Sequence, residues 1–144
     1  MKLVVLVGLP GSGKTTWLRE RGLSALSSDE VRGMLTGDET DQRLNRLVFR
    51  VMRSMARARK EAGAEVTYID STALTRWERR CWVRFAELNE CRVGVLFFDV
   101  GVEECLRRNR LRERVVPEEA VVRMAGRLER PTVAEGFDWV EVVG

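Results

Sequence analysis

The sequence contains no histidine. That excludes imidazole bases, histidine metal ligands and Ser-His nucleophiles, so any general base must be a carboxylate or a weaker group. Cysteine is scarce. Cys81, Cys91 and Cys105 stand at no metal-binding spacing and are odd in number, so they read as buried thiols of a reducing compartment. Lysine is nearly absent, with 3 Lys against 22 Arg. Guanidinium groups suit bidentate phosphate contacts, but a GC-rich or thermophilic source gives the same bias, and the net charge is only +3. No apolar run approaches the roughly 18 residues of a membrane span. The first residues read as a core strand rather than a leader, so the cytoplasm and no membrane partner are expected. Repeats, linkers and low-complexity stretches are missing too. With 144 residues, 44% hydrophobic and 33% charged, the expectation is one globular domain over 1–144, built on one core.

What is present is concentrated at the start, MKLVVLVGLPGSGKTT. Leu3 to Val7 is a continuous apolar run rich in Val, which suits a strand buried on both faces. Residues 8–15, GLPGSGKT, fit the P-loop pattern G-x-x-x-x-G-K-[ST]. Its glycines let the backbone aim successive N–H groups at a phosphate where a Cβ would intrude. A helix from Lys14 adds its positive end. Gly11, Ser12, Gly13, Lys14, Thr15 and Thr16 are therefore the candidate nucleotide-binding residues. Lys14 reaches the β- and γ-phosphates, and the Thr15 hydroxyl is the candidate Mg²⁺ ligand.

Further along, Lys14 to about Arg21 reads as a helix ended by Gly22. Leu23 to Ser27 reads as a second strand, Glu30 to Leu35 as a helical turn and Thr36 to Asp41 as a polar loop. Leu44, Leu47, Val48, Val51, Met52 and Met55 recur at helical spacing and predict a helix from about Asp41 to Ala62. Its opposite face carries Arg43, Arg46, Arg50, Arg53 and Arg57, read as solvated. Glu65 to Ile69 is a third strand. Thr75 is an N-cap for a helix to about Leu88 with Trp77, Cys81, Phe85 and Leu88 inward. Arg92 to Phe98 is a fourth strand, Val102 to about Arg112 a helix, and Pro117 opens another with Ala120, Val121, Met124 and Leu128 inward. Trp139 to Val143 is a last strand. Strands alternating with helices predict an α/β sheet, mainly parallel and of about five strands. Ligands in such sheets bind at the carboxyl ends of the strands, where Gly8, Asp29, Asp70 and Asp99 all fall.

A phosphate loop implies a nucleotide and leaves its fate open. A GTPase switch requires D-x-x-G and N-K-x-D, and neither string occurs. A hydrolytic motor usually has an acidic pair after an apolar strand, which Asp70-Ser71 and Asp99-Val100 do not supply. A kinase requires a carboxylate near the acceptor hydroxyl and cations over the transferred group. Asp29, with Arg32 three residues on, suits the first task, although an N-cap is the plainer role for Asp29. The run RRNRLRER over 107–114 suits the second, with Arg108 and Arg112 on one helix face; an ordinary solvated helix is the alternative.

The chain resembles the kinase module of 5′-polynucleotide kinases, in the phage end-healing enzymes and bacterial RNA-repair kinase/phosphatases. The segments that carry the likeness are GLPGSGKTTW, LSSDEVRGMLTGDETDQ, YIDSTALTRWERR, FFDVGVEECLRRNRLRERVVP and EGFDWV. It implies a three-layer α/β/α kinase-type P-loop fold with a helical Arg-bearing lid. It implies transfer from ATP, with Mg²⁺, to a 5′-hydroxyl RNA or DNA end, in nucleic-acid repair. Asp29 then corresponds to the general base, Arg32 to the holder of the acceptor phosphate, and Arg108 and Arg112 to the lid clamp. Asp70 lies on the acceptor side. Two departures bear on this. Members often carry D-x-T-N after the third strand, where this chain reads Asp70-Ser-Thr-Ala73. Members also usually carry a phosphatase or ligase module, which this sequence lacks. Kinases of sugars, nucleosides or antibiotics share the scaffold and remain the alternative, followed by a nucleotide switch without an acceptor. Self-association into a homo-oligomer is left open.

Overall fold

Five of the six residues of strand β1 (Lys2–Val7) are fully covered, because the strand is flanked on both edges and packed on both faces. The computed structural model describes residues 1–144. After β1 follow α1 (Lys14–Glu20), β2 (Ala25–Ser27), α2 (Ser28–Thr36), α3 (Asn45–Glu61), β3 (Val66–Asp70), α4 (Arg76–Leu88), β4 (Arg92–Phe98), α5 (Val102–Asn109), α6 (Glu118–Arg127) and β5 (Trp139–Val143). The strands form one sheet in the order β2-β3-β1-β4-β5, and every pairing is parallel. The parallel five-stranded α/β sheet is the one that the alternation of elements predicts, and its three-layer arrangement is the one that the resemblance implies.

Alternation along the strands sorts the core. Leu3, Val5, Val7, Val93, Val95 and Phe97 face α3 and α4 and form the larger core with Val48, Met52, Trp82 and Phe85. Val4, Leu6, Leu96 and Phe98 face the other way and pack on Leu18 of α1. A third cluster, Leu9, Leu74, Cys105 and Val121, seats α5 and α6 beside the phosphate loop. The order of strands puts the carboxyl ends of β1, β2 and β3 side by side, so the residues after them meet at one rim. No helix is long and apolar enough to cross a membrane. The three cysteines are free thiols, and burial pushes the Cys81 and Cys105 thiols above their ordinary range.

Four local expectations need correction. Helix α2 spans nine residues from Ser28, not a single turn. Ser27 is its N-cap and accepts from the Glu30 amide, which leaves Asp29 free of a capping role. Helix α3 starts at Asn45 rather than Asp41, because Asp41 turns the chain through its bonds to the Arg43 amide and guanidinium. On α4 the inward face is Arg79, Trp82, Val83, Phe85 and Ala86, while Trp77 and Leu88 are 78% and 76% exposed. The inner arginine hides the period: Arg79 is fully buried and meets Glu135 at 2.8 Å, while donating to the carbonyls of Ala73 and Leu74. Finally, α5 ends at Asn109, so Arg112 lies beyond the helix. Asn109 is buried and holds both the N–H and the C=O of Val116, which closes residues 110–116 into a non-helical loop.

Candidate active site

The phosphate loop is held open by its own geometry. Gly11 and Gly13 have φ of +83° and +100°, the left-handed region that favours glycine. At Gly11 a Cβ would lie 2.5 Å from the Cys105 carbonyl oxygen. The amides of Gly11, Gly13, Lys14, Thr15 and Thr16 donate to no backbone acceptor, and all five residues line one cleft at the start of α1. Such a cradle fits a phosphate chain. Ser12 is buried, and its Oγ has no partner.

The Lys14 ammonium folds over the loop and donates to the Gly8 carbonyl at 2.6 Å and the Leu9 carbonyl at 3.1 Å. Burial lowers its pKa, an effect opposed by the Asp70 carboxylate. Asp70 closes β3 beside it. Burial raises the Asp70 pKa, against the pull of Lys14 and Arg112. Thr15, Asp70, Ser71 and Thr72 line the same cleft, of about 1040 Å³. Magnesium takes one or two protein oxygens and fills its octahedron with phosphate oxygens and water. The Thr15 hydroxyl and the Asp70 carboxylate fit that demand. No cluster of three acidic or sulfur ligands gathers anywhere in the chain, so a cation here would depend on phosphate oxygens brought by a nucleotide.

The first turn of α2 brings Asp29 into the cleft. One carboxylate oxygen accepts from Arg32 Nη1 at 2.9 Å and the other from Arg114 Nη1 at 3.2 Å. Arg32 itself is only 4% exposed. Its Nη2 donates to Asn45 at 2.9 Å, and its buried Nε has no partner. Opposite, Arg108 leans over the loop with Nη1 3.4 Å from the Ser12 carbonyl, and its Nε bonds Glu104 at 2.9 Å. Glu104, bonded by Arg107 and Arg108, is held down to about 2. Arg112 lines the cleft and forms no ion pair within the chain. Lys14, Asp29, Asp70, Arg108 and Arg112 therefore share one cleft with the loop residues Gly11, Ser12, Gly13, Thr15 and Thr16. Arg32 stands behind Asp29 rather than on the cleft wall. Asp99 does not join the cleft lining and instead pairs with Arg130 at 3.0 Å. Sequence reasoning missed Asn45 and Arg114 as partners of this constellation. Arg114 was visible only as one member of an arginine run, and Asn45 contributes through a contact 13 residues from Arg32.

An opposed set of donors, cations and one half-exposed carboxylate around an open cleft can bind a polyphosphate and present its end to a second substrate. A family model described as an AAA domain matches residues 3–131. No curated protein matches. Among solved structures, one chain of the Pnkp1/Rnl/Hen1 RNA repair complex superposes with a TM-score of 0.73 at 23% identity, over 88% of this chain and 43% of that one. The chain thus spans less than half the length of that repair protein. APS kinase CysC of Mycobacterium tuberculosis, in complex with AMPPNP and APS, gives a TM-score of 0.63 at 21% identity over 98% of this chain and 87% of its own. A gluconokinase from Sinorhizobium meliloti gives 0.59 at 19% identity, over 99% and 81%. With its loop, sheet order and matched residues in agreement, the chain belongs to the AAA domain family and has the fold of a phosphate-loop kinase.

Proposed function

We propose that this chain is a phosphotransferase that moves the γ-phosphate of ATP to the 5′-hydroxyl end of an RNA or DNA strand. The observation that carries this reading is Asp29, gripped by Arg32 and Arg114 at 2.9 and 3.2 Å, in the same cleft as the amide cradle and Lys14. The loop amides bind the phosphates of ATP. Lys14 exchanges the Gly8 and Leu9 carbonyls for phosphate oxygens. Thr15 and Asp70, on the same cleft wall, would hold Mg²⁺, which would neutralise charge on the phosphates. Asp29 orients the acceptor hydroxyl and accepts its proton, and Arg32, buried behind it, fixes the carboxylate. Arg108 and Arg112 close over the transferring group, where one well-placed arginine is worth about 10³-fold or more.

Transfer of labelled γ-phosphate to 5′-hydroxyl RNA and DNA oligonucleotides, beside a panel of small alcohols, tests this. Label on oligonucleotides alone supports it. Label on small alcohols alone overturns the acceptor class, and ATP hydrolysis with no labelled product overturns the transferase. The second reading, a kinase of a small phosphorylated or sugar alcohol, draws on the likeness to the APS kinase and gluconokinase structures, which extends over nearly the whole chain. Salt separates the two: a protein gripping several backbone phosphates loses oligonucleotide affinity steeply as salt rises, and a closed metabolite pocket does not.

A further inference from the structure

Resting on that reading, we infer that Arg114, not part of the phosphate clamp, is the lid residue that senses the phosphate beside the acceptor's 5′-terminal nucleoside and frees Asp29 when it finds one. Three observations converge. First, Arg32 turns no donor to the cleft, because its one unpartnered nitrogen, Nε, is buried. Nη1 is on Asp29, Nη2 is on Asn45, and the residue is buried. Second, Arg114 approaches Asp29 from the opposite side, on the loop held by Asn109, and its side chain is 42% exposed. Its Nη1 is shared between Asp29 at 3.2 Å and Glu39 at 3.1 Å. Its Nε and Nη2 have no partner in the chain, which leaves a guanidinium fork of the geometry that takes a phosphate bidentately. Third, both Asp29 oxygens accept a bond, one from each arginine, so departure of Arg114 leaves one oxygen of this half-exposed carboxylate free of its cation to meet the acceptor hydroxyl.

An acceptor phosphate arriving beside Arg114 competes with two carboxylates for one guanidinium. Drawn to it, Arg114 releases one Asp29 oxygen and keeps the lid over the cleft through Asn109 and Val116. The consequence is a substrate check: a 5′-hydroxyl without a neighbouring phosphate meets a proton acceptor still tied to Arg114. Glu39 sets the threshold, because it holds Arg114 back from the incoming phosphate.

The experiment compares a nucleoside, the matched nucleoside 3′-phosphate and a 5′-hydroxyl oligonucleotide as acceptors, with kcat and KM measured for each. Wild type should favour the phosphorylated acceptors. Arg114→Ala should cut that preference by about 10- to 100-fold, the worth of a charged hydrogen-bond pair, with the KM for ATP unchanged. Arg114→Lys, which keeps charge and loses the fork, should fall between. Glu39→Gln should lower the acceptor KM, a gain that a merely structural ion pair cannot produce. The unchanged ATP KM also reports a folded protein; should Arg114→Ala fail to fold, Arg114→Lys and Glu39→Gln decide. If oligonucleotides are phosphorylated but neither preference nor acceptor KM moves in these variants, the role of Arg114 is refuted and the polynucleotide reading stands. If wild type phosphorylates only non-phosphorylated small alcohols, both fall together.

Discussion

Replacing Gly11 with alanine separates two costs that the phosphate loop combines. The first is conformational. Gly11 has φ of +83°, and a left-handed residue with a Cβ costs roughly 1–2 kcal/mol. The second is steric. The new Cβ would stand 2.5 Å from the Cys105 carbonyl oxygen, a backbone atom that moves only with α5. A forced shift of packed backbone adds about 1–3 kcal/mol. Gly22 supplies the control, with φ of +63° and nothing within 4 Å of its Cβ. Gly22→Ala should therefore carry the first cost alone. Urea unfolding reads the difference. With m near 2 kcal/mol/M, the midpoint should fall by about 0.5–1 M for Gly22→Ala and by about 1–2.5 M for Gly11→Ala. Because α5 carries Arg108, whose Nη1 meets the Ser12 carbonyl, only Gly11→Ala should also weaken ATP binding. Equal midpoints for the two variants would show that α5 yields freely and that the loop is not braced against it.

The Arg112 side chain has no partner to lose, so Arg112→Ala should lower kcat by about 10³-fold or more while shifting the unfolding free energy by no more than ~0.5 kcal/mol; a large stability loss would mean a structural role. Asp70 gives a pH signature. Burial raises its pKa, so above about pH 4 the folded chain binds its proton more readily than the unfolded chain. The stability of wild type relative to Asp70→Asn should therefore fall as pH rises from 4 through the raised folded value. Paired urea titrations across that range check it, and a difference that grows in favour of wild type would refute the buried-charge assignment.

Much of this architecture is legible in the sequence, and the places where it is not have physical causes. Leu3 to Val7 and Arg92 to Phe98 could be read because a strand buried on both faces needs apolar residues at every position. Thr75 could be read because its hydroxyl caps the Glu78 amide at 3.1 Å, a bond made within one turn. The face of α4 was misread because Arg79 is buried through Glu135, 56 residues away. A buried, paired arginine looks identical in sequence to a solvated one. The site divides in the same way. The loop residues 8–16 are contiguous and declare themselves, and Asp29 with Arg32 falls within one helical turn. Arg114 meets Asp29 across 85 residues, and only the pinning of the 110–116 loop by Asn109 brings them together. Asp99 matched the strand-end rule as well as Asp70 did, yet β4 delivers it to Arg130 instead.

The most direct measurement is transfer of γ-phosphate to a 5′-hydroxyl oligonucleotide by wild type and Asp29→Ala, with ATP affinity measured calorimetrically on the same samples. Removing a positioned general base lowers kcat by about 10²- to 10⁴-fold, and the ATP Kd should stay within about twofold because Asp29 makes no bond to the loop. Transfer retained at the wild-type rate, or ATP affinity lost in parallel with transfer, would contradict the assignment of Asp29 to the acceptor.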